Sequence, residues 1–387
     1  MSESASDAIP YDLIIRRARV IDPAQGIDRV ADIAVQEGKV VGIGDYSDDG
    51  GAEIIDATDC VASPGWIDLH AHVFAGGNAI GLHPDNDAGV ATGVTTVVDA
   101  GTSGAEDWGV FRESVLEVAT TRVLAFVNVS LKRVDGPKHG QWSNFAQGKT
   151  IPLAEKEAEA GYCMGIKVLA SQTHCGNLGI TPVKLARQAA RLSGTGLMVH
   201  IGNAPPVIED VLDLLEEGDI VTHCWHGKYG GLLGRDRKPL PATLAAVDRG
   251  VKFDQGHGSA SFAFETGRRA LDSRLPLHAI STDLHRGCVN GPVYDMGTTM
   301  AKWLHLGLDL PEVIRLSTSS PAQLIHREDT LGSLAPGRTA DITVFGVREG
   351  EFEFSDAERQ VEKARRNLEV LYTVRAGQIV KQPSIEG

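Results

Sequence analysis

The 387-residue chain carries 37 Lys and Arg against 51 Asp and Glu, a formal net charge of −14, which excludes a broad basic surface for nucleic acid. Hydrophobic residues at 42% and charged residues at 23% exclude wholesale disorder and leave enough apolar chain for a large core. Five widely spaced cysteines with no Cys-x-x-Cys pair, no run of 18 apolar residues, and an acidic start, MSESASDAIP, lead us to expect a cytoplasmic protein without disulfide framework, signal peptide or membrane span.

From the N-terminus, residues 11–61 read as a meander of short strands: YDLIIRRARVID, a turn at 23–26, then ADIAVQEGKVVGIG with a Glu37-Gly38 turn between two apolar runs. Between about Pro64 and His326, β-rich runs alternate with helical patterns, as in βαβ units around a parallel sheet. Eight of these runs end in a polar side chain: His72, Asp99, Asn128, Lys167, His200, His223, Asp254 and Asp283. From His70 to Asp283 is 213 residues over seven intervals, a mean step of about 30, the size of one βαβ unit. Eight such steps predict a (β/α)8 barrel, an α/β TIM barrel whose site is built at the strand C-termini.

The punctuation between the runs is helical. Thr181 and Pro182 read as an N-cap and first helical residue, and Gly194 as the stop. Residues 107–119 and 207–215 show similar apolar faces, and Trp303 and Leu304 read as core or interface positions on a helix. The polar stretch 133–150 reads as a long loop and a candidate lid. Near the C-terminus, ADITVFGV and LEVLYTVRAGQIV return to strand texture, with EGEFEFSDAERQVEKARRN between them as a solvated excursion. The chain thus divides into 1–62 and 331–387, two β-rich ends, around a 63–330 barrel.

Chemistry concentrates at the strand ends. His70 and His72 share the parity of a β-strand, so both imidazoles point to one face, and Asp68 shares it. Two parallel imidazoles suit a metal ion, and His200, His223 and Asp283 end later strands on the same rim. Lys167, between Ile166 and Val168, alternates inward. A desolvated lysine becomes a neutral amine able to capture carbon dioxide as an anionic carbamate, the alternative being an ordinary lysine that snorkels to water. Asp68 and Asp99 read as groups that orient the ligands, and Cys175 and Cys224 as inert buried thiols.

PGWIDLHAH, Lys167, His200, His223, Asp283, the β-rich ends and LGSLAPGRTADITVF together resemble the amidohydrolase superfamily over about residues 11–380. GVTTVVDAGTSGAEDW, the THCWHGK stretch and QGHGSASF resemble a dihydroorotase-related group, often misnamed dihydroorotase, that includes esterases of acylated α-hydroxy acids. The resemblance implies a distorted barrel, a small β-sandwich built from both termini, and two divalent ions, zinc being favoured. It implies that His70, His72 and Asp283 hold the more buried ion and His200 and His223 the more exposed one. Lys167, carboxylated by CO2, and a hydroxide would bridge them, with Asp283 as proton acceptor and donor.

One departure bears on substrate. Dihydroorotases generally carry His-x-His-x-Arg, whereas this chain has Phe74 two residues after His72. Asn128, His174, His226, Lys228, His257 and Arg286 are the candidates for substrate contact. The expected function is metal-dependent hydrolysis of an acyl ester or amide of a small carboxylic acid. A cyclic amidase and a silent scaffold on the same fold are the alternatives. The partner is a small-molecule substrate, with neither nucleic acid nor membrane, and the resemblance leaves room for a homo-oligomer.

Overall fold

A computed structural model describes residues 11–46, 51–76, 79–132 and 141–382. Two sheets organise it. The first contains β1 (Leu13–Asp22), β2 (Ile27–Gln36), β3 (Lys39–Gly44), β4 (Glu53–Asp56) and β5 (Val61–Pro64) from one end of the chain. From the other end it takes β13 (Ile342–Ser355), β14 (Val361–Arg375) and β15 (Gln378–Lys381). Its order is β15-β14-β13-β5-β1-β2-β3, with β4 also on β1. The meander reading holds for β1 to β3, which pair antiparallel, but β4 and β5 return parallel to β1. Alternating apolar residues such as Ile15, Ile33, Val35, Ile342 and Val344 form its separate core.

The second sheet is parallel and in strict sequence order: β6 (Trp66–Ala71), β7 (Val94–Asp99), β8 (Arg122–Asn128), β9 (Cys163–Ala170), β10 (Gly196–Ile201), β11 (Ile220–Thr222) and β12 (Lys252–Asp254). Strands buried on both faces need two sets of apolar partners. Val97, Val127, Ile166, Val168 and Val199 face the helices, while Ile67, Leu69, Val98, Phe126, Met198 and Ile220 fill the barrel interior. Lys167 alternates with Ile166 and Val168 and pairs in register with Met198, so its side chain belongs to the interior. No helix among the described residues is long and apolar enough to cross a membrane.

The eighth run is not a regular strand. Residues 278–284 instead close the ring through isolated parallel bridges, Asp254 with Ala279 and Ala71 with Leu284. Backbone hydrogen bonds seal both sides: Gln255 and His257 N–H donate to Ala279 and Ser281 O, and Asp283 N–H donates to His70 O. The departure has a local cause, since Asp283 adopts φ 47, a left-handed conformation that a continuous strand cannot contain.

Other expectations need correction. The helix begins at Thr181 itself without a side-chain cap, and Gly194 ends it. The reading of 107–119 resolves into a short helix Trp108–Phe111 and a π-helical turn Arg112–Leu116. The candidate lid falls partly on 133–140, outside the described residues, and its end belongs to the helix Gln147–Glu159. The solvated excursion is a continuous β-ribbon, because Phe352 meets Ala364 and Glu353 meets Lys363 across β13 and β14. Arg268 and His305 both reach Glu362 and fasten that ribbon to the barrel.

The two sheets meet at Trp66, the first residue of β6, whose ring lies 5.2 Å from that of fully buried Phe345 on β13. This contact sets the base of the strand that delivers His70 and His72. Phe345→Ala should cost about 3–5 kcal/mol, read as a lower denaturation midpoint with an unchanged slope; an unshifted midpoint would remove this contact from the stability of the fold.

Candidate metal centre

Residues from four strand ends and the closing segment converge on one cavity of about 350 Å3, lined by His70, His72, Lys167, His174, His200, His223, Lys228 and Asp283. His70 lies on β6 with His72 just beyond it, Lys167 on β9, and His200 on β10, while His223 directly follows β11. His70, His72, His223 and Lys167 are almost wholly buried, and His200 is partly open to the cavity.

Each imidazole of the buried group has its Nδ1 engaged by the protein. Thr222 Oγ1 sits 2.8 Å from His70 Nδ1 and 2.6 Å from Asp254 Oδ2. The hydroxyl has one proton and the carboxylate takes it, so His70 Nδ1–H donates to Oγ1 and the Nε2 lone pair faces the cavity. His223 Nδ1–H donates to Gly256 O at 2.6 Å, which leaves its Nε2 likewise a lone-pair donor. His72 Nδ1 is 2.7 Å from Thr102 Oγ1. Asp254 also accepts from Ser281 Oγ at 2.6 Å, and thereby links β12 to the closing segment.

The free faces crowd together. Asp283 Oδ1 lies 3.3 Å from His70 Nε2 and 3.1 Å from His72 Nε2. Ligand atoms of His70, His223 and Asp283 all fall within 4.8 Å of one another, and the rings of His200 and His223 are 4.4 Å apart. Lys167 Nζ is 3.3 Å from His70 Nε2 and 3.4 Å from Met198 Sδ.

The backbone is bent to make this possible. His223 has φ 70 and Asp283 φ 47, outliers of the kind that cluster at functional sites. Gly256 and Gly258 turn over them at φ +50 and +51. A Cβ at Gly258 would fall 2.2 Å from Asp283 Oδ2, and one at Gly256 would fall 2.3 Å from Thr222 Oγ1, so both positions exclude any side chain.

Electrostatics keep the donors in the forms that bind cations. Burial would raise Asp283, but positive charge and N–H groups presented from the side of His70, His72 and His223 outweigh it and hold the carboxyl well below the usual range, a part that a bound cation takes over when those nitrogens are lone-pair donors. Burial, reinforced by neighbouring cations and imidazoles, holds His200 well below the usual histidine range. Burial does the same for His223, with only partial opposition from Asp283. Neutral imidazoles and an ionised carboxylate, with their outer nitrogens tied back, are the donor set that divalent metals take. The residues fit such ions.

The candidates for substrate contact divide. His174 and Lys228 line the cavity. Asn128 does not, because its amide is consumed by Gly101 O at 2.9 Å and by Ser130. His257 turns away to Lys302 Nζ at 2.7 Å. His226 is buried against the neighbouring groove, its Nδ1 accepting from Lys228 N–H at 3.1 Å. Arg286 is exposed and donates to Gly81 O.

Sequence reading missed Ser171, Thr173, Asn203, Ser259, Ser261 and His285, which also line the cavity. They sit just after the strand ends, on loops or, for Thr173, in the short helix Gln172–Cys175, where spacing carries no signal. Thr222 and Thr102 were missed as orienting groups, although Thr222 is the residue immediately before His223. Asp68 and Asp99 do orient: Asp68 accepts from Thr282 and the His70 N–H, and Asp99 from the Val73 and Thr102 N–H groups.

Thr222→Val keeps the shape and removes the hydroxyl between His70 and Asp254. Metal affinity in competition with a chelator should fall roughly 10–100-fold; wild-type affinity in this variant would show that the relay does not orient His70.

A model of the amidohydrolase family matches residues 277–381. The deacetylase Atu3266 of Agrobacterium fabrum is 36% identical over 326 residues, spanning 83% of this chain and 79% of that protein. The crystal structure of an adenine deaminase superposes with a TM-score of 0.88 at 33% identity, covering 96% of this chain and 100% of that one. The crystal structure of a dihydroorotase superposes with a TM-score of 0.86 at 31% identity, covering 96% and 97%. With these likenesses and a buried cluster of imidazoles and carboxylate at the barrel rim, the chain belongs to the amidohydrolase family and is a metal-dependent hydrolase.

Proposed function

We propose that this hydrolase removes the acyl group from an ester or amide of a small carboxylic acid, of the acetylated α-hydroxy acid or N-acyl type. The observation that carries the reading is Lys228. It lines the same cavity as the histidines and Asp283, and its ammonium has no hydrogen-bond or ion-pair partner among the described residues. Burial lowers its pKa and the charge of Asp283 opposes the shift, so the cavity holds a half-desolvated cation waiting for an anion. A substrate carboxylate satisfies it. A neutral purine, the kind of base on which an adenine deaminase acts, would not.

Phe74 argues against dihydroorotate as substrate. Where dihydroorotases carry arginine, this ring is buried in the core with its centroid 4.9 Å from Phe111, so no cation can be supplied from that position. Likeness to a protein named a deacetylase supports open-chain acyl substrates, while a cyclic amidase would use the same centre on a ring.

We assign two divalent ions, most simply zinc, to His70, His72 and Asp283 on one side and His200 and His223 on the other. Bound there, such ions polarise a scissile carbonyl and acidify a water. Asp283, with Oδ1 between His70 and His72, accepts the proton of the attacking water and returns it to the leaving oxygen or nitrogen. Lys228 fixes the carboxylate and thereby the facing carbonyl, and Ser171 and His174 line the adjoining wall. Lys167 adds its neutral amine to carbon dioxide, forming an N–C bond and releasing one proton, and the anionic carbamate offsets the surplus positive charge.

In the zinc-loaded protein, turnover should be strong for acetylated α-hydroxy acids or N-acetyl amino acids and weak for dihydroorotate and hydantoin; turnover of the rings alone would replace this reading with the cyclic amidase, and inactivity of the metal-loaded protein on every compound would favour the scaffold. Lys228→Gln should raise KM for a free-acid substrate at least about tenfold, by loss of a charge-assisted contact, yet leave its neutral methyl ester unaffected; an equal KM for both would remove Lys228 from recognition. Asp283→Asn should lower kcat by about 10²–10⁴, and Lys167→Ala should lower bound metal with partial rescue by short-chain carboxylic acids. Normal metal content and rate in the lysine variant would exclude the carbamate.

A further inference from the structure

A second cavity, of about 340 Å3, lies at the opposite end of the barrel, where the starts of β8 and β9 meet the terminal sheet. Arg122 opens β8, Tyr162 precedes β9, Arg375 closes β14 and Arg327 follows the helix Ser319–Leu324, and all four line it. β8 runs seven residues from Arg122 to Asn128, so the two cavities are separated by about 20 Å of strand.

Three guanidiniums and no carboxylate line this cavity, in a chain whose net charge is −14. Asp341, just outside it, accepts from Arg122 Nη1 at 2.6 Å through Oδ2 and from Arg375 Nη1 at 3.1 Å through Oδ1. Arg327 meets no acid among the described residues; its Nη2 donates to Gly161 O at 3.1 Å. Three cations against one anion leave a local charge of +2. Arg375 Nε is buried with no hydrogen-bond partner, and burial, with Arg122 close by, holds this guanidinium below its usual range.

A simple staple between barrel and terminal sheet explains the Arg122–Asp341–Arg375 bridge. It explains neither Arg327 nor the surplus charge, and each guanidinium still has N–H groups that no protein acceptor uses. Planar forks converging on a concave space are the arrangement that recognises oxyanions bidentately. We propose that this cavity is a second binding site, taking a small anion with two or more charged oxygens, a phosphate-type oxyanion or a short dicarboxylate, between Arg122, Arg327 and Arg375. Such a ligand ties β8 and β9, which carry Asn128 and Lys167 at their far ends, to the terminal sheet, and stabilises the folded chain by linkage.

Arg327 is the residue to change, since Arg122 and Arg375 support Asp341 and their loss endangers folding. The zinc-loaded protein is titrated calorimetrically with sulfate and, separately, with succinate, using wild type, Arg327→Gln, Arg327→Glu and, as a control at the metal centre, Lys228→Gln. We expect one equivalent of at least one anion, beyond any that Lys228 takes, to bind wild type and Lys228→Gln alike, with the affinity of that equivalent at least tenfold weaker in Arg327→Gln and the equivalent abolished in Arg327→Glu. Sulfate binding alone identifies the phosphate-type class, and succinate alone the dicarboxylate. Equal affinity in wild type and Arg327→Glu, loss in Lys228→Gln but not in Arg327→Gln, or no binding of either anion would overturn the site. Because Lys228→Gln reports on the metal centre separately, failure here leaves the proposed hydrolysis untouched.

Discussion

The whole centre depends on one constraint: each buried imidazole must spend its Nδ1 on the protein so that Nε2 keeps a lone pair for the cavity. The Asp254 carboxylate is the anchor. It takes the hydroxyl protons of Thr222 and Ser281, so Thr222 has only an acceptor left for His70. One carboxylate thereby sets a tautomer on β6, the position of the β11 terminus, and the seat of the segment that closes the barrel. A histidine cluster without such fixed outer contacts would sample several tautomers and bind metal poorly.

The same constraint explains why the barrel does not close with a regular strand. Asp283 has to aim its carboxylate back at His70 and His72, and it does so with a left-handed backbone. His223 pays a similar conformational cost, roughly 1–3 kcal/mol each. These conformations persist because the surroundings over-determine them. The Asp283 N–H is bonded to His70 O, Asp68 holds Thr282, and two left-handed glycines lie directly against the strained residues.

Charge is distributed against the grain of the composition. The chain is acidic overall, yet each end of the barrel presents a concave surface lined with cations, Lys228 at the rim and three arginines at the base. At the rim, the cation shares its space with groups whose own preference is to bind positive ions. On the proposed reading, that combination selects a ligand bearing both a polarisable acyl carbonyl and a separate negative charge, so one cavity would hold the two ends of the substrate in different ways.

Much of this was legible in sequence because period-2 alternation and a step of about 30 residues are local, repeating signals. His70, His72, Lys167, His200, His223 and Asp283 could be read as one rim before any coordinates, since a barrel brings all strand ends to one face. What spacing could not reveal was which side chains turn inward once the chain leaves the strand. His257 and Asn128 have the right addresses but are claimed by Lys302 and Gly101, whereas Ser171 and Asn203 occupy the wall from loops. The acidic ribbon of β13 and β14 was misread for a related reason: its strands are held by cross-strand pairing rather than burial, so composition resembled a loop. The sequence by itself determined the barrel, its terminal sheet and which polar residues stand at the strand ends, because these follow from local periodicity. Only the tertiary structure decided the tautomers, the left-handed turn at Asp283 and the isolation of Lys228, because each depends on groups far apart in the chain competing for the same few hydrogen bonds.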